Sequence, residues 1–445
     1  MSNAHKDLVE TRIDVAELAI GMHVIRLDKP WEDSDFLLQG FVIRHESEIH
    51  AIQSQCNFVT IEGQVDAQPH PRSGPSSSPR GRGLLGLFKR NKKQPPSEPG
   101  SPQHVPRRRV TYINKVDAGS EMTNAVMQFK EAQQTAKSIM SGLRVGRTLD
   151  LNNARAVVNN CVDSVLCNEN ALLLLTKIKN QDEYTAEHCI NVSILAAAFG
   201  KHEGLLEGEI RNLALCGLLH DVGKTQIPDE VLNKPGALTP DEFGVMRQHT
   251  THGRTILMGT SSSLNTAVDV AYSHHERMDG AGYPRGLQAH QIPYFAKIIG
   301  LVDTYDAITS TRVYDTGRAS MQALEVIHKH RGSQFDGELA DAFIQMIGIY
   351  PPGSIVEMKN GEVAIVMESD PYQKLKPKVL LVREADKTIK ESYQSLDLKA
   401  SPLDAAGNSY QISREVPDGM YDITLQDFVN EGLIGTTPTP PKNET

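Results

Sequence analysis

The chain has 445 residues, 39% of them hydrophobic and 23% charged, with 46 Lys and Arg against 55 Asp and Glu. This balance excludes a small disulfide-stabilised scaffold and a mainly disordered protein, and the length allows two or three domains. The five cysteines are an odd number and sparse, so we expect no disulfide framework and a reducing compartment. The polar N-terminus and the lack of any run of about 18 apolar residues predict a soluble, cytoplasmic protein without a transmembrane segment.

The first two segments of the chain differ in composition. Residues 1–66 contain β-branched and aromatic runs broken by Gly21, Pro30 and Gly40, which predict a small β-rich regulatory module. Residues 67–112 are rich in Pro, Ser and Gly and strongly basic, which predicts a disordered linker that buries too little apolar surface to fold. The basic charge is compatible with an anionic membrane surface or nucleic acid, but we favour a solvated linker and expect no specific nucleic-acid duplex as partner.

The remaining segments predict a mainly α fold. Residues 113–350 repeat apolar residues at helical spacing, as in the stripe that begins at Ile210. Within them, Thr239 to Glu242 has the Thr, Pro and Glu of a helix start. Asn360-Gly361 lies between two β-rich runs and predicts a hairpin, so residues 351–435 are expected to be a C-terminal β appendage. Residues 436–445 are predicted to be a disordered tail.

Histidines cluster with carboxylates in the helical region. His220-Asp221 stands where an apolar helix is expected to end, followed by Gly223 and Lys224. Nitrogen and oxygen donors of this kind suit Fe, Mn, Zn or Co, and no cysteine motif accompanies them. We therefore expect a transition-metal site. The candidate donors further along the chain are His249, His274, His275 and Asp303.

Two strings carry a family resemblance. HDVGK at residues 220–224 and HHERMDGAGYP at residues 274–284 resemble the HD-GYP branch of the HD superfamily of metal-dependent phosphohydrolases. The resemblance covers about residues 145–348, and the N-terminal segment is similar to a module that often precedes HD-GYP domains in bacteria. The resemblance implies an HD-type helical bundle, with the β-rich module before it and the β appendage after it. It also implies a bacterial cytoplasmic enzyme that hydrolyses cyclic di-GMP to pGpG and then GMP.

The resemblance implies two divalent transition metal ions, with Fe or Mn expected and Zn, Co or Ni also suited to the donors. Two ions about 3.5–4 Å apart can acidify a bridging water to the hydroxide that attacks phosphorus. Lys224 is implied to hydrogen-bond that hydroxide or a phosphate oxygen. The implied ligands are His188, His220, Asp221 and Asp303 for one ion and Asp221, His249, His274 and His275 for the other.

Residues 279–284, with the sequence DGAGYP, form a glycine-rich loop that the resemblance implies to contact substrate. Gly282 allows a close backbone approach, Tyr283 can stack or hydrogen-bond beside the ligand, and Pro284 stiffens the exit. Glu276 and Asp279 are candidates either to orient the metal-binding imidazoles or to cap the loop.

Further along, Arg312 is implied to be a phosphate clamp, whereas Asp306 is expected to be structural. Two positions depart from the family. Many relatives have a basic residue where Asp315 stands, and some have a Glu, which supports a third metal, where Tyr184 stands. We therefore predict a two-metal site.

Three functions remain open from the sequence. The first is an active cyclic di-GMP phosphodiesterase. The second is a catalytically weak cyclic di-GMP receptor, which Asp315 and the additional domains motivate. The third is a dimetal phosphohydrolase of another cyclic dinucleotide, because metals recognise phosphate rather than base. The helical stretch at residues 121–141 could pair with a second copy to form a homodimer, and a signalling protein partner is the other alternative.

Overall fold

The computed structural model describes residues 9–28, 41–43, 46–63, 109–178, 184–310, 319–370, 373–430 and 432. Most of these residues between 118 and 347 are helical, and a small antiparallel sheet lies on each side of that region in the sequence. The predicted mainly α class with β-rich additions is therefore confirmed. The domain boundaries themselves stay predictions, and the greater part of the predicted linker and the tail lies outside the described residues.

The N-terminal module is a four-stranded antiparallel sheet with one helix. Its elements are β1 (Val9–Asp14), β2 (His23–Leu27), β3 (Phe41–Val42), α1 (Glu46–Gln55) and β4 (Phe58–Gly63), and the strand order is β1-β4-β2-β3. Val24, Ile43, Ile52 and Val59 form its buried core. The β-rich prediction holds, whereas α1 had no separate signal in the sequence.

Helical structure begins after an extended segment in which Val110 and Tyr112 hydrogen-bond Gly204 and Leu205. Asp117 and Asp150 cap the first two helices of this region, and each accepts a hydrogen bond from the backbone N–H three residues later. The helices are α2 (Ala118–Arg144), α3 (Leu151–Leu175), α4 (Tyr184–His202), α5 (Glu207–Leu219), α6 (Asp229–Leu232), α7 (Pro240–Arg247), α8 (His249–Thr260), α9 (Asn265–Ser273), α10 (Tyr294–Ser310), α11 (Ala319–Lys329) and α12 (Gly337–Ile347).

Small side chains let the central helices pack closely. Ser193 on α4 donates its hydroxyl proton to the carbonyl of Ala214 on α5, at 2.8 Å. Helix α4 is buried along almost all of its described length, consistent with a central position in the bundle. As predicted, Thr239 begins α7 with a reciprocal capping box to Glu242.

The C-terminal sheet contains β5 (Ile355–Met358), β6 (Val363–Glu368), β7 (Lys378–Arg383), β8 (Ile389–Asp397) and β9 (Ile412–Val416), in the antiparallel order β8-β7-β6-β5-β9. The predicted hairpin turn joins β5 to β6, and Gly361 adopts the positive φ that the turn requires. Ile365 belongs to the core of the helical bundle, whereas its neighbours Ala364 and Val366 face a second cluster within the sheet. A short helix, α13 (Leu425–Asn430), follows.

Candidate metal centre

The side chains predicted as metal ligands come from separate elements that the bundle brings together. His220 directly follows α5, His249 is the first residue of α8, and His274-His275 directly follow α9. The others lie within α4 and α10 or in the turn after α5. Three groups have ligand atoms within 4.8 Å of one another: His188, His220 and Asp303; His220, Asp221 and His274; and His249, His274 and His275.

Asp221 lies between two sets of donors and turns one carboxylate oxygen toward each. Oδ2 is 3.3 Å from His220 Nε2 and 3.8 Å from His188 Nε2. Oδ1 is 3.5 Å from His249 Nε2 and 3.8 Å from His274 Nε2. Each oxygen therefore faces members of one of the two ligand sets that the resemblance implies, and their binding of two ions stays a prediction.

Backbone carbonyls fix the orientation of three imidazoles. Nδ1 of His220 lies 2.7 Å from the Gly217 carbonyl oxygen, and Nδ1 of His249 lies 2.7 Å from that of Met246. His274 repeats the arrangement with the carbonyl of Ala271, at 3.1 Å. Because a carbonyl oxygen only accepts, Nδ1 carries the proton in each ring and Nε2 has its lone pair available for a metal.

His188 is oriented by a carboxylate instead. Its Nδ1 lies 2.7 Å from Asp306 Oδ2, and its Nε2 lies 3.0 Å from Asp303 Oδ1. The two carboxylates are three residues apart on α10 and therefore share a helix face. Asp306 was predicted to be structural, and its contact with His188 was not predicted, although the spacing of the two aspartates is a signal for a shared helix face.

Burial and charge set the protonation of the cluster. Burial lowers the pKa of His249, His274 and His275, the last to about 3. Those rings are therefore neutral at physiological pH, as metal ligands must be. For His188, burial also opposes the charge, but its hydrogen bonds with Asp303 and Asp306 outweigh burial and raise its pKa to about 9. A proton and a cation compete for this Nε2.

Two atoms in the centre test whether a metal fits. His220 Nε2 and Asp221 Oδ1 are buried and have no hydrogen-bond partner among the described residues. A buried polar atom without a partner costs ~1–3 kcal/mol. The carboxylate oxygen faces imidazole nitrogens that carry no proton, so a cation between them satisfies both. The donor set of nitrogen and oxygen fits a divalent transition metal.

Lys224 lies in the turn that follows Asp221, and its Nζ donates a hydrogen bond to Asp221 Oδ2. Burial opposes its charge, but Asp221 and Asp303 outweigh burial and raise the pKa of Lys224 above its usual value. Burial favours protonation of Asp221, but the Lys224 ammonium beside it holds the pKa of that carboxyl well below its usual range. A cation therefore lies beside the Asp221 oxygen that faces His220 and His188.

Two glycines at the site, Gly223 and Gly282, allow backbone segments to approach closely, and this role was predicted for Gly282 alone. A Cβ at Gly223 would lie 1.9 Å from the carbonyl oxygen of His249. A Cβ at Gly282 would lie 2.6 Å from the carbonyl oxygen of His275, and the N–H of Tyr283 donates to that same oxygen at 3.2 Å. The turn after α5 and the glycine-rich loop therefore pack on the backbone of two histidines of the cluster.

The glycine-rich loop is fastened by carboxylates that do not touch the imidazoles. Glu276 accepts backbone hydrogen bonds from Arg285 at 2.8 Å and Leu287 at 2.9 Å. Asp279 accepts from the backbone of Ala281 at 3.0 Å and pairs with Arg277. Both side chains therefore hold the loop, which was the second of the two roles considered for them.

A cavity of about 330 Å³ opens beside the histidine pair. The rings of Tyr283 and His275 both line this cavity, and their centroids are 4.7 Å apart. Pro284 continues the loop through a cis peptide bond. Burial, together with Asp221 and Asp303, raises the pKa of Tyr283 above its usual value, so its hydroxyl stays protonated at neutral pH.

Some predicted residues lie outside what the structure describes. Arg312 and Asp315 fall in the undescribed stretch 311–318. Tyr184 begins α4, but its side chain is not among those described. The phosphate clamp and the absence of a third metal therefore stay predictions. None of the described helices combines the length and apolar character needed to cross a membrane.

A helical bundle that gathers buried His and Asp side chains around an HD pair defines the class of HD-domain proteins. The family described as "HD domain" matches residues 165–339, and the family described as "Domain of unknown function (DUF3391)" matches residues 10–154. The chain is 32% identical to a cyclic di-GMP phosphodiesterase of Pseudomonas aeruginosa over 427 residues, which is 96% of this chain and 97% of that protein. The chain belongs to the HD-GYP family of HD-domain proteins.

Two other relatives match a smaller share of the chain. A cyclic di-GMP phosphodiesterase of Thermotoga maritima is 37% identical over 37% of this chain and 45% of its own length. The 3'3'-cGAMP-specific phosphodiesterase 1 of Vibrio cholerae is 34% identical over 42% of this chain and 43% of its own length. Relatives with different named substrates therefore resemble this chain.

Proposed function

We propose that the protein is a metal-dependent phosphodiesterase that hydrolyses cyclic di-GMP to pGpG and then to GMP. The observation that carries the proposal is the pair of donor sets on the two sides of Asp221. The similarity to the Pseudomonas cyclic di-GMP phosphodiesterase along nearly the whole chain supports the choice of substrate.

The donor sets support two divalent transition metal ions, with Fe or Mn first and Zn, Co or Ni as alternatives. Asp221 would contact both ions through its two oxygens. When bound, such ions supply an acidified water and positive charge for the phosphoryl oxygens. The other ligands would be His188, His220 and Asp303 on one side and His249, His274 and His275 on the other.

The chain's own residues have separate tasks in this proposal. Lys224 would donate a hydrogen bond to a phosphate oxygen and oppose the negative charge that develops on it. Asp306 would hold His188 in the orientation that turns Nε2 to the ion. Tyr283 and Gly282, which line the cavity, would exclude water beside the scissile phosphate, and Pro284 would hold the end of this loop.

A product assay with a substrate panel tests the proposal. The full chain, purified anaerobically and loaded with Fe or Mn, is incubated separately with cyclic di-GMP, 3'3'-cGAMP and cyclic di-AMP, and the products are separated by chromatography. We expect fastest loss of cyclic di-GMP, transient pGpG and final GMP, and loss of this activity in Asp221→Asn.

The two alternatives give different results in the same assay. The similarity to a 3'3'-cGAMP-specific phosphodiesterase is the observation that keeps another cyclic dinucleotide open, and faster hydrolysis of 3'3'-cGAMP would replace the substrate proposed here. Binding of cyclic di-GMP without product formation would instead favour the receptor. Undiminished hydrolysis by Asp221→Asn would contradict the site itself.

A further inference from the structure

Two side chains on α7, Phe243 and Arg247, line the cavity beside the histidine pair. They are four residues apart and share one face of the helix. Phe243 is 45% exposed, and it is the one aromatic side chain that the described part of the chain leaves in the exposed class. Burial of an aromatic ring stabilises a protein more than burial of most side chains, so leaving this ring exposed costs folding free energy. Exposed apolar surface beside a cavity is typical of a ligand-binding site.

Arg247 is exposed as well, and its contacts are with rings rather than carboxylates. Its guanidinium carbon lies 5.0 Å from the ring centroid of Tyr283 and 5.9 Å from that of Phe243. No described carboxylate lies within 4 Å of this guanidinium. Contact with an aromatic face restrains the side chain while leaving its N–H donors available for an anion.

The rings connect these two residues to the metal centre. Phe243 and Tyr283 have ring centroids 6.2 Å apart with the planes nearly perpendicular, and Tyr283 in turn contacts His275. Arg247 is also only two residues before the ligand candidate His249, at the end of α7. The ring contacts through Tyr283 and the short chain segment before His249 therefore fix the position of Phe243 and Arg247 relative to the metal-ligand cluster.

This geometry suits the half of the substrate that is not being cleaved. If one phosphate of cyclic di-GMP is held at Asp221, the remaining nucleotide and its second phosphate must lie on the adjoining surface, so this step rests on the proposed function. Aromatic side chains stack on the faces of nucleic-acid bases. A guanidinium binds a phosphate through two parallel hydrogen bonds.

We propose that Phe243 and Arg247 form a binding site for this second nucleotide. A purine base stacks on the ring of Phe243, and the guanidinium of Arg247 binds the phosphate that is not hydrolysed. The site governs how tightly the cyclic dinucleotide is held and has no part in the cleavage step.

The test compares a dinucleotide with a small phosphodiester. The full-length, metal-loaded protein and the variants Phe243→Ala, Phe243→Trp, Arg247→Gln and Arg247→Lys are assayed with cyclic di-GMP and with bis(p-nitrophenyl) phosphate, which carries neither a purine nor a second phosphate. We expect Phe243→Ala and Arg247→Gln each to raise KM for cyclic di-GMP about tenfold with little change in kcat. Their KM for the small ester should not rise, and Phe243→Trp should restore the affinity.

The chain supplies matched controls. Arg254 lies 5.0 Å above the ring of Tyr272, the same distance as in the Arg247–Tyr283 pair, but outside the cavity. Met258 on α8 is 57% exposed and also outside the cavity. Arg254→Gln and Met258→Ala should leave both KM values unchanged.

The outcomes separate this inference from the function on which it rests. Cyclic di-GMP hydrolysis with an unchanged KM in Phe243→Ala and Arg247→Gln would overturn the second-nucleotide site while leaving the phosphodiesterase intact. A parallel rise in KM for both substrates would also overturn it, because that result points to a general disturbance of the cavity. Hydrolysis of the small ester by the unmodified protein without hydrolysis of cyclic di-GMP would contradict the proposed function instead.

Discussion

Gly223 packs directly on the carbonyl oxygen of His249, and a Cβ at this position would lie only 1.9 Å from that oxygen. Real side chains do not reach such a distance, so any substitution must move the turn that carries Asp221 away from the start of α8. The two halves of the candidate metal centre are thus joined by a contact that only glycine permits.

The first prediction concerns this contact. Gly223→Ala should lower both the metal content of purified protein and the temperature of thermal unfolding, because the backbone shift separates Asp221 from His249. Gly259→Ala on α8 is the control, since a Cβ there meets nothing within 4 Å and the change should be neutral or stabilising by ~0.5–1 kcal/mol. Full metal content in Gly223→Ala would contradict the expectation.

The second prediction concerns the carboxylate that orients His188. Asp306→Asn removes the negative charge from the side chain that hydrogen-bonds His188 Nδ1. Loss of a carboxylate that orients a metal-binding imidazole weakens metal binding by about 10–100-fold. Competition between the protein and a chromophoric chelator measures the affinity. Asp341→Asn, which removes the charge from an ion pair with the partly exposed Arg331, should leave the affinity as it is.

The third prediction concerns the buried carboxylate that fastens the glycine-rich loop. Glu276→Ala leaves the N–H groups of Arg285 and Leu287 without their acceptor, which costs ~1–3 kcal/mol for each donor that stays buried. Urea unfolding followed by far-ultraviolet circular dichroism should shift to lower denaturant. Glu230→Ala, at an exposed position on α6, should stay within about 0.5 kcal/mol of the unmodified chain. Equal stability of the two variants would show that the loop does not depend on Glu276.

The fourth prediction separates charge stabilisation from metal binding. Lys224→Gln removes the cation beside Asp221, so kcat for cyclic di-GMP should fall by about 10²–10³-fold, as for loss of a group that stabilises developing charge. Metal content should be retained because Lys224 is not a ligand. Lys234→Gln, which removes the charge from an ion pair with Glu242 at the edge of α7, is the control for loss of a positive charge. An unchanged kcat in Lys224→Gln would exclude the role proposed for this residue.

Local signals in the sequence predicted local structure well. Asn360-Gly361 predicted a hairpin, and β5 and β6 do pair across it. The turn is one residue longer than the two-residue turn that this dipeptide favours, because Met358 pairs with Glu362 and only Gly361 adopts a positive φ. Thr239 and Glu242 predicted the start of α7 because their side chains satisfy backbone groups within the same turn. By contrast, α1 has little apolar periodicity and depends on packing under the N-terminal sheet.

The candidate site was predictable as a set of residues but not as a geometry. The HD pair and the double histidine are recognisable strings, and the resemblance implied how they divide between two ions. The three-residue spacing of Asp303 and Asp306 places both on one helix face, but the sequence did not show that this face meets His188, since that contact depends on how α10 packs beside α4. Phe243 and Arg247 were likewise missed, because an apolar residue and a basic residue on an amphipathic helix are ordinary until their exposure beside a cavity is known.

The most direct test of the central claim is a metal titration of metal-free full-length protein in which turnover of cyclic di-GMP is followed at each addition. The account predicts two bound ions per chain and product formation that rises with the second ion, because Asp221 has one oxygen for each donor set. Full turnover with a single ion bound, or no turnover in protein that holds both ions, would contradict it.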